Sequence, residues 1–217
     1  CSSDLFGLEL ADLDNDGDLD AIFGGHEHEG NGFPTGIYWN DGRGNFMPYN
    51  TTLLKQHKVW GTIPEVSAWD LDNDGDMDIV YSRAGKSYKG TAIQIIENLG
   101  NKKFKDHGIF PLVEAPEDYI PTHEGNEWND FIENIRFRDL DKDGDIDLYL
   151  SSSMSRKTDG MVLLNQGDFA FELLRPSLAK VYVVSEFEVQ REEKKKAEKL
   201  AADQRRKEKN DAMKAEL

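Results

Sequence analysis

A nine-residue segment crowded with carboxylates occurs three times in the chain, at residues 12–20, 70–78 and 139–147. Like charges at such close spacing repel one another, so this composition predicts a bound cation. Carboxylates at positions 1, 3, 5 and 9, with a backbone carbonyl at position 7, offer only hard oxygen ligands, which favours calcium over zinc or copper. The candidate residues of the three predicted Ca²⁺ sites are Asp12, Asp14, Asp16, Asp18, Asp20, Asp70, Asp72, Asp74, Asp76, Asp78, Asp139, Asp141, Asp143, Asp145 and Asp147.

Glycine stands at position 6 of each copy, where a loop wrapped around an ion needs a sharp turn. The main alternative is an EF-hand loop, which requires a glutamate at position 12 and a helix on each side. Position 12 here is Phe23, Tyr81 or Leu150. The residues after each copy are apolar, partly β-branched and few in number, which predicts buried strands. Each loop is therefore expected to join the two strands of a hairpin.

Short motifs around the loops resemble those of a known family. The pattern Asp-x-Asp-x-Asp-Gly-x-x-Asp has Phe6-Gly7 before its first copy and Gly24-Gly25-His26 after it. This arrangement resembles the FG-GAP or VCBS repeat of integrin-α-type β-propellers. The second and third copies lack these flanking elements and look more like the VCBS variant. A turn with Asn and Gly, followed by Phe, recurs at residues 40–46, 98–104 and 165–169.

The resemblance covers about residues 5–180. It implies an all-β fold of three four-stranded β-propeller blades within residues 1–184. Trp39 and Trp69 lie within strand patterns and are expected in the core. The remaining residues, 185–217, contain no Gly or Pro and are rich in Glu, Lys, Arg, Gln and Ala. This composition predicts a charged C-terminal α-helix.

Three blades are too few for a closed ring. Propellers have about four to eight blades, and an arc of three would leave sheet edges and apolar faces exposed. We therefore expect further blades or other subunits to complete the propeller.

Charge and composition limit the location and partners of the chain. The net charge of -16 at pH 7 argues against nucleic acid as a partner. No apolar run approaches the ~20 residues of a transmembrane helix. Calcium loops of this kind fill where calcium is about millimolar, which predicts an extracellular or cell-surface location. Cys1, the only cysteine, is either the lipid-carrying end of an outer-membrane lipoprotein or a chain boundary without that role.

The long connections away from the Asp loops are the predicted binding face. They span residues 24–36, 54–64, 82–91, 115–131 and 151–160, and such loops on a rigid scaffold often carry binding residues. Their aromatic and basic side chains favour a protein or glycan partner. The His26–Glu29 run has no third metal ligand and is expected to be a polar surface loop. The candidate partner-binding residues are His26, His28, Phe33, Arg83, Tyr88, Tyr119, His123, Trp128 and Arg156.

Catalytic motifs are missing from the sequence, which has no nucleophile elbow, phosphate-binding glycine loop or zinc-type Cys and His spacing. The sequence therefore favours an extracellular calcium-binding module for adhesion and assembly over an enzyme. One alternative is a structural subunit of a larger surface or appendage complex. Another is a polysaccharide lyase or hydrolase, as for some proteins that resemble this family, with His123, Glu124 and Glu127 as the residues to test.

Overall fold

The computed structural model of the chain describes residues 5–27, 35–116, 132–151 and 157–176. These residues form three sheets, each an antiparallel meander of four consecutive strands. The predicted all-β fold of three four-stranded units is therefore confirmed. Sheet 1 contains β1 (Leu5–Ala11), β2 (Asp20–Gly25), β3 (Gly36–Asn40) and β4 (Phe46–Leu53); sheet 2 contains β5 (Thr62–Trp69), β6 (Asp78–Ala84), β7 (Thr91–Asn98) and β8 (Phe104–Val113); sheet 3 contains β9 (Asn134–Arg138), β10 (Asp147–Ser151), β11 (Met161–Asn165) and β12 (Phe171–Leu174).

Sheet 2 lies between the other two sheets and packs against an apolar cluster on each face. Every residue of β6 is buried, and alternate side chains of the strand enter different cores, as the two-residue period of a strand requires. Ile79 and Tyr81 pack in a cluster with Ile22 and Ile37 of sheet 1. Val80 packs in a second cluster, which contains Leu148 and other residues of sheet 3. Stacking of the sheets thus produces two successive apolar layers.

The first strands of neighbouring sheets lie side by side. Contacts join β1 to β5 and β5 to β9. Blades around a propeller axis are arranged in this way. The described residues contain three such sheets and no closed ring, so the complete propeller stays a prediction.

The two strand tryptophans differ in burial. Trp39 is 2% exposed and belongs to the core between sheets 1 and 2, as expected. The expectation for Trp69 is wrong, because its side chain is 44% exposed. It ends β5 at the wall of a groove of about 740 Å³ and stacks on Phe137, with 5.4 Å between ring centroids.

Some expectations lie outside the described residues, namely the charged helix at 185–217 and most of the connection at 115–131. Within the described part of the chain, no helix has the length and apolar character needed to cross a membrane.

Candidate metal centres

The three Asp-rich segments occupy equivalent places in the fold. We call residues 12–20 loop 1, residues 70–78 loop 2 and residues 139–147 loop 3; each joins the first and second strands of its sheet. In every loop the carboxylates at positions 1, 3 and 9 come together, each offering an oxygen within 4.8 Å of the other two. The three groups are Asp12, Asp14 and Asp20; Asp70, Asp72 and Asp78; and Asp139, Asp141 and Asp147. Each group could hold a metal ion.

The position 9 carboxylate is the buried anchor of each loop. In loop 2, Asp78 Oδ2 accepts the backbone N–H of Leu71 at 2.9 Å, and its Oδ1 accepts that of Asn98 at 2.8 Å. These bonds tie both ends of the loop to the end of β7. Equivalent pairs of bonds are made by Asp20 with Leu13 and Asn40, and by Asp147 with Leu140 and Asn165.

Burial makes these anchors hard to ionise. It raises the pKa of Asp78 to about 7 and that of Asp147 to about 6, and it also raises the pKa of Asp20. The pKa values of Asp72 and Asp141 are raised as well, chiefly by burial and further by neighbouring Asp carboxylates. A cation among these groups would favour their charged forms. The donor set therefore fits a bound ion.

The position 1 carboxylate shapes the turn of the loop. Asp70 accepts the backbone N–H groups of Asp74 and Gly75, and Asp12 and Asp139 make similar bonds in the other loops. Gly75 has φ of +96°, and positive φ also occurs at the glycines of loops 1 and 3. Because glycine adopts this conformation with little strain, its place at position 6 follows from the backbone.

The carboxylates at positions 5 and 7 do not join the groups of three oxygens in the structure. At position 5, Asp16, Asp74 and Asp143 each accept the backbone N–H of the residue two positions later. At position 7, Asp76 lies against Gly100 in the turn between β7 and β8, where a Cβ would come within 3.0 Å of its Oδ2. The Asn-containing turn and the Asp loop therefore lie at the same end of the sheet.

An unpaired oxygen in loop 1 supports the fit to a cation. Asp14 Oδ1 is buried and has no hydrogen-bond partner among the described residues. A buried carboxylate oxygen without a partner costs stability. An ion bound between Asp12, Asp14 and Asp20 would satisfy it.

Asparagine side chains connect these loops from sheet to sheet. The Asn98 amide in sheet 2 donates to the backbone carbonyl of Leu13 in loop 1 at 2.9 Å and to that of Met77 in loop 2 at 3.1 Å. In sheet 3, Asn165 donates to the carbonyl of Leu71 in loop 2 at 3.1 Å. The conformation of each of these loops is therefore coupled to the stacking of the next sheet.

At the end of the sheets opposite the Asp loops, the environment of Arg83 differs from the expectation. It was expected in a binding loop, but β6 continues through Ala84 and buries Arg83 completely. Its Nη1 lies 2.9 Å from Oε2 of Glu27, which is 3% exposed. Glu27 also accepts the backbone N–H of His57 at 2.6 Å. The expected polar surface loop thus contributes a buried carboxylate, and Arg83 has a structural role.

This ion pair had a detectable signal in the sequence. Ile79, Tyr81 and Arg83 occupy alternate positions of one strand and therefore point to the same face. Arg83 Cζ lies 5.6 Å from the centre of the Tyr81 ring. The two-residue period could have indicated that Arg83 faces the core.

The other candidate partner-binding residues are only partly placed. His26 is half-buried, and its backbone pairs with that of Thr62 in sheet 2. Tyr88 is half-buried at the end of a 3-10 helix, Lys86–Tyr88, with φ of +60°. The remaining ones, His28, Phe33, Tyr119, His123, Trp128 and Arg156, lie outside the described residues.

Comparison with known proteins identifies the repeat. The family model described as FG-GAP-like repeat matches residues 12–81 and again residues 70–150. Each match begins at the first Asp of a loop and ends within the strand that follows the next loop. Neither the curated proteins nor the solved structures include a match to the chain. The two repeat matches span residues 12–150, more than half of the 217-residue chain, and the chain therefore belongs to the FG-GAP-like repeat family.

Proposed function

We propose that the protein is an extracellular, calcium-stabilised binding module that assembles with further sheets of its own kind through sheet 1. The observation that carries this proposal is the asparagine link between loops and sheets. Asn98 connects loop 1 to sheet 2 and Asn165 connects loop 2 to sheet 3. An ion that orders a loop would therefore also favour the stacking of the neighbouring sheet.

Calcium is the proposed ion because the ligands are carboxylate oxygens. The proposed role is structural. A site with a dissociation constant a thousandfold below the free calcium concentration stabilises the folded state by ~4 kcal/mol. Calcium near the millimolar level of extracellular fluids would fill even sites of moderate affinity. The need for calcium at this concentration supports the proposed cell-surface location.

The outer face of sheet 1, turned away from sheet 2, is apolar and open. Strand register places Leu8, Phe23 and Leu53 in one cross-strand row of this face and Leu10 and Tyr38 in the next. Leu8, Leu10 and Leu53 are 52%, 48% and 64% exposed. Exposed apolar surface of this kind is typical of an interaction site.

A polar feature of sheet 1 indicates what would cover this face. Asn40 of sheet 1 is the counterpart of Asn98 in sheet 2. Its side-chain amide donates to the backbone carbonyl of Leu19 in loop 1 at 3.0 Å. Among the described residues it makes no bond to the loop of a preceding sheet, as Asn98 does to Leu13. Another sheet could therefore stack on the outer face of sheet 1 in the way that sheets 1, 2 and 3 stack on one another. The proposed partner is another sheet of this repeat type. In a solution of this chain alone, that sheet comes from a second copy.

The test is the mass of the chain in solution by light scattering, with calcium and then with chelator. We expect an assembly in calcium that Leu10→Glu and Leu53→Glu convert to monomer, because each places a charge on the outer face of sheet 1. Val59→Glu is the matched control, since Val59 is 74% exposed and lies outside that face. A folded wild-type monomer at high protein concentration in calcium would contradict the proposed assembly.

A further inference from the structure

Loop 1 is contacted by a lysine from sheet 2. Lys102 lies in the turn between β7 and β8 with φ of +60°. Its Nζ is 2.8 Å from Oδ2 of Asp14. The ammonium also lies 4.2 Å from the centre of the Trp39 ring. A salt bridge and a cation–π contact thus hold one lysine against a candidate metal ligand.

This contact leaves half of the Asp14 carboxylate for another partner. The Asp14 side chain is 11% exposed, whereas that of Lys102 is 43% exposed. The ammonium occupies Oδ2, while Oδ1 is buried without a hydrogen-bond partner among the described residues. One carboxylate can therefore contact the lysine through one oxygen and a metal ion through the other.

In the part of the chain that the structure describes, no lysine forms a salt bridge with the position 3 carboxylate of loop 2 or loop 3. The turn of sheet 3 that corresponds to residues 98–104 places Phe169 where sheet 2 has Lys102, with φ of +57°. Phe169 stacks on His107, with 4.4 Å between ring centroids. In the described part of the chain, Asp72 and Asp141, the counterparts of Asp14, make no ion pair.

We propose that Lys102 is a built-in cation for loop 1, which keeps this loop ordered without calcium and makes its site the weakest of the three for calcium. The inference rests on the proposed calcium binding. Without a metal, the ammonium offsets the repulsion among Asp12, Asp14 and Asp20. With calcium bound, two cations share the Asp14 carboxylate and repel each other. Loop 1 therefore depends on calcium less than loops 2 and 3 do.

Calcium titration of the full chain by calorimetry tests the affinity. We expect two tighter sites and one weaker site in the wild type. Lys102→Met should tighten the weak site by roughly tenfold, because a cation–cation repulsion is removed. Lys102→Gln, which keeps a polar side chain without the charge, should act in the same direction. Lys103→Met is the matched control, since Lys103 is exposed in the same turn and its side chain forms no salt bridge with a loop in the described part of the chain. It should behave as the wild type.

The assignment to loop 1 is checked by Asp12→Asn, which should remove the weak site and leave the two tighter sites. In the Lys102→Met and Asp12→Asn double variant, the gain in affinity should disappear. An unchanged weak site in both Lys102 variants overturns the inference while leaving the calcium proposal intact. A wild-type chain that binds no calcium overturns both.

Thermal unfolding separates this role from ordinary packing. In chelator, Lys102→Met should lower the unfolding midpoint, because Asp14 loses its salt bridge to the Lys102 ammonium. In saturating calcium the loss should be smaller or absent. An equal loss under both conditions would indicate a packing role alone and would contradict the proposal.

Discussion

Arg83 and Glu27 form an ion pair inside the protein, with 2.9 Å between Nη1 and Oε2 and both side chains fully buried. The guanidinium also donates to Oε1 of Gln94 at 2.6 Å and to the backbone carbonyl of Trp60 at 2.8 Å. Glu27 follows β2 in sheet 1, and Arg83 lies near the end of β6 in sheet 2. The pair therefore joins the two sheets at the face opposite the Asp loops.

Breaking this pair should be strongly destabilising. Arg83→Met would leave the Glu27 carboxylate buried without its cation, and we expect the free energy of unfolding to fall by ~3–5 kcal/mol. Urea unfolding in saturating calcium measures this change. Replacing both residues, as Glu27→Leu with Arg83→Met, should recover much of the loss because no unpaired charge remains.

A surface ion pair provides the control for that experiment. Lys105 contacts Glu97 at 2.9 Å, but the lysine side chain is 57% exposed. Lys105→Met should change the free energy of unfolding by less than about 1 kcal/mol. An Arg83→Met loss as small as this would show that the buried pair does not stabilise the contact between the sheets.

The repeated units of the fold could be predicted because the Asp loops determine local structure at both of their ends. Asp78 binds the backbone at Leu71 and Asn98, so a loop with Asp at position 9 fixes the start of the next strand and the end of the third. Three copies of the loop therefore predict three four-stranded sheets. The prediction for Arg83 is wrong because this polar residue, expected in a loop, lies near the end of a buried strand.

Contacts between sheets could not be predicted from local patterns. The Asn98 to Leu13 bond joins residues 85 positions apart, and its existence depends on how two sheets stack. The exposure of Trp69 has a similar origin, since it is decided by where the neighbouring sheets and loops end. Periodicity within one strand indicates which residues share a face, but it does not indicate what covers that face.

Loss of one anchor carboxylate should remove one calcium ion. Asp78→Asn keeps the size of the side chain but removes its charge and one of its two acceptor oxygens. We therefore expect loop 2 to lose its ion and the chain to bind two calcium ions instead of three. Calorimetric titration counts the sites. Asp168→Asn is the control, because Asp168 is exposed in a turn and belongs to none of the three oxygen groups. An unchanged count in Asp78→Asn would contradict the assignment of that loop.

Removing the asparagine link should weaken the stacking of sheets 1 and 2. Asn98 is 1% exposed, and Asn98→Ala leaves the backbone carbonyls of Leu13 and Met77 without their donor. We expect a loss of about 1–3 kcal/mol in chemical unfolding. Asn40→Ala should cost less, because Asn40 is half-buried and its donor bond stays within sheet 1. Equal losses would mean that the contact between the sheets does not stabilise the fold.

Stability should also depend on pH through Glu65, in β5. Burial, with a smaller contribution from the nearby Glu9 carboxylate, raises the pKa of Glu65 to about 7 from the ordinary value of 4.5. The folded state therefore holds a proton that the unfolded chain releases at lower pH, so this group makes the protein less stable as the pH rises from about 4.5 to 7. Above pH 7 the full penalty for the buried charge is present.

Glu65→Gln removes that penalty, since the amide stays neutral and can still accept the bond from the Ser67 hydroxyl. We expect the variant to be more stable than the wild type at pH 8 and about equal to it near pH 4.5. Chemical unfolding of both proteins at the two pH values measures the difference in their free energies of unfolding. The titration of groups common to both proteins cancels in this difference. Glu114→Gln, at an exposed position, should follow the wild type throughout. A Glu65→Gln variant that gains nothing between the two pH values would show that Glu65 ionises freely in the folded protein.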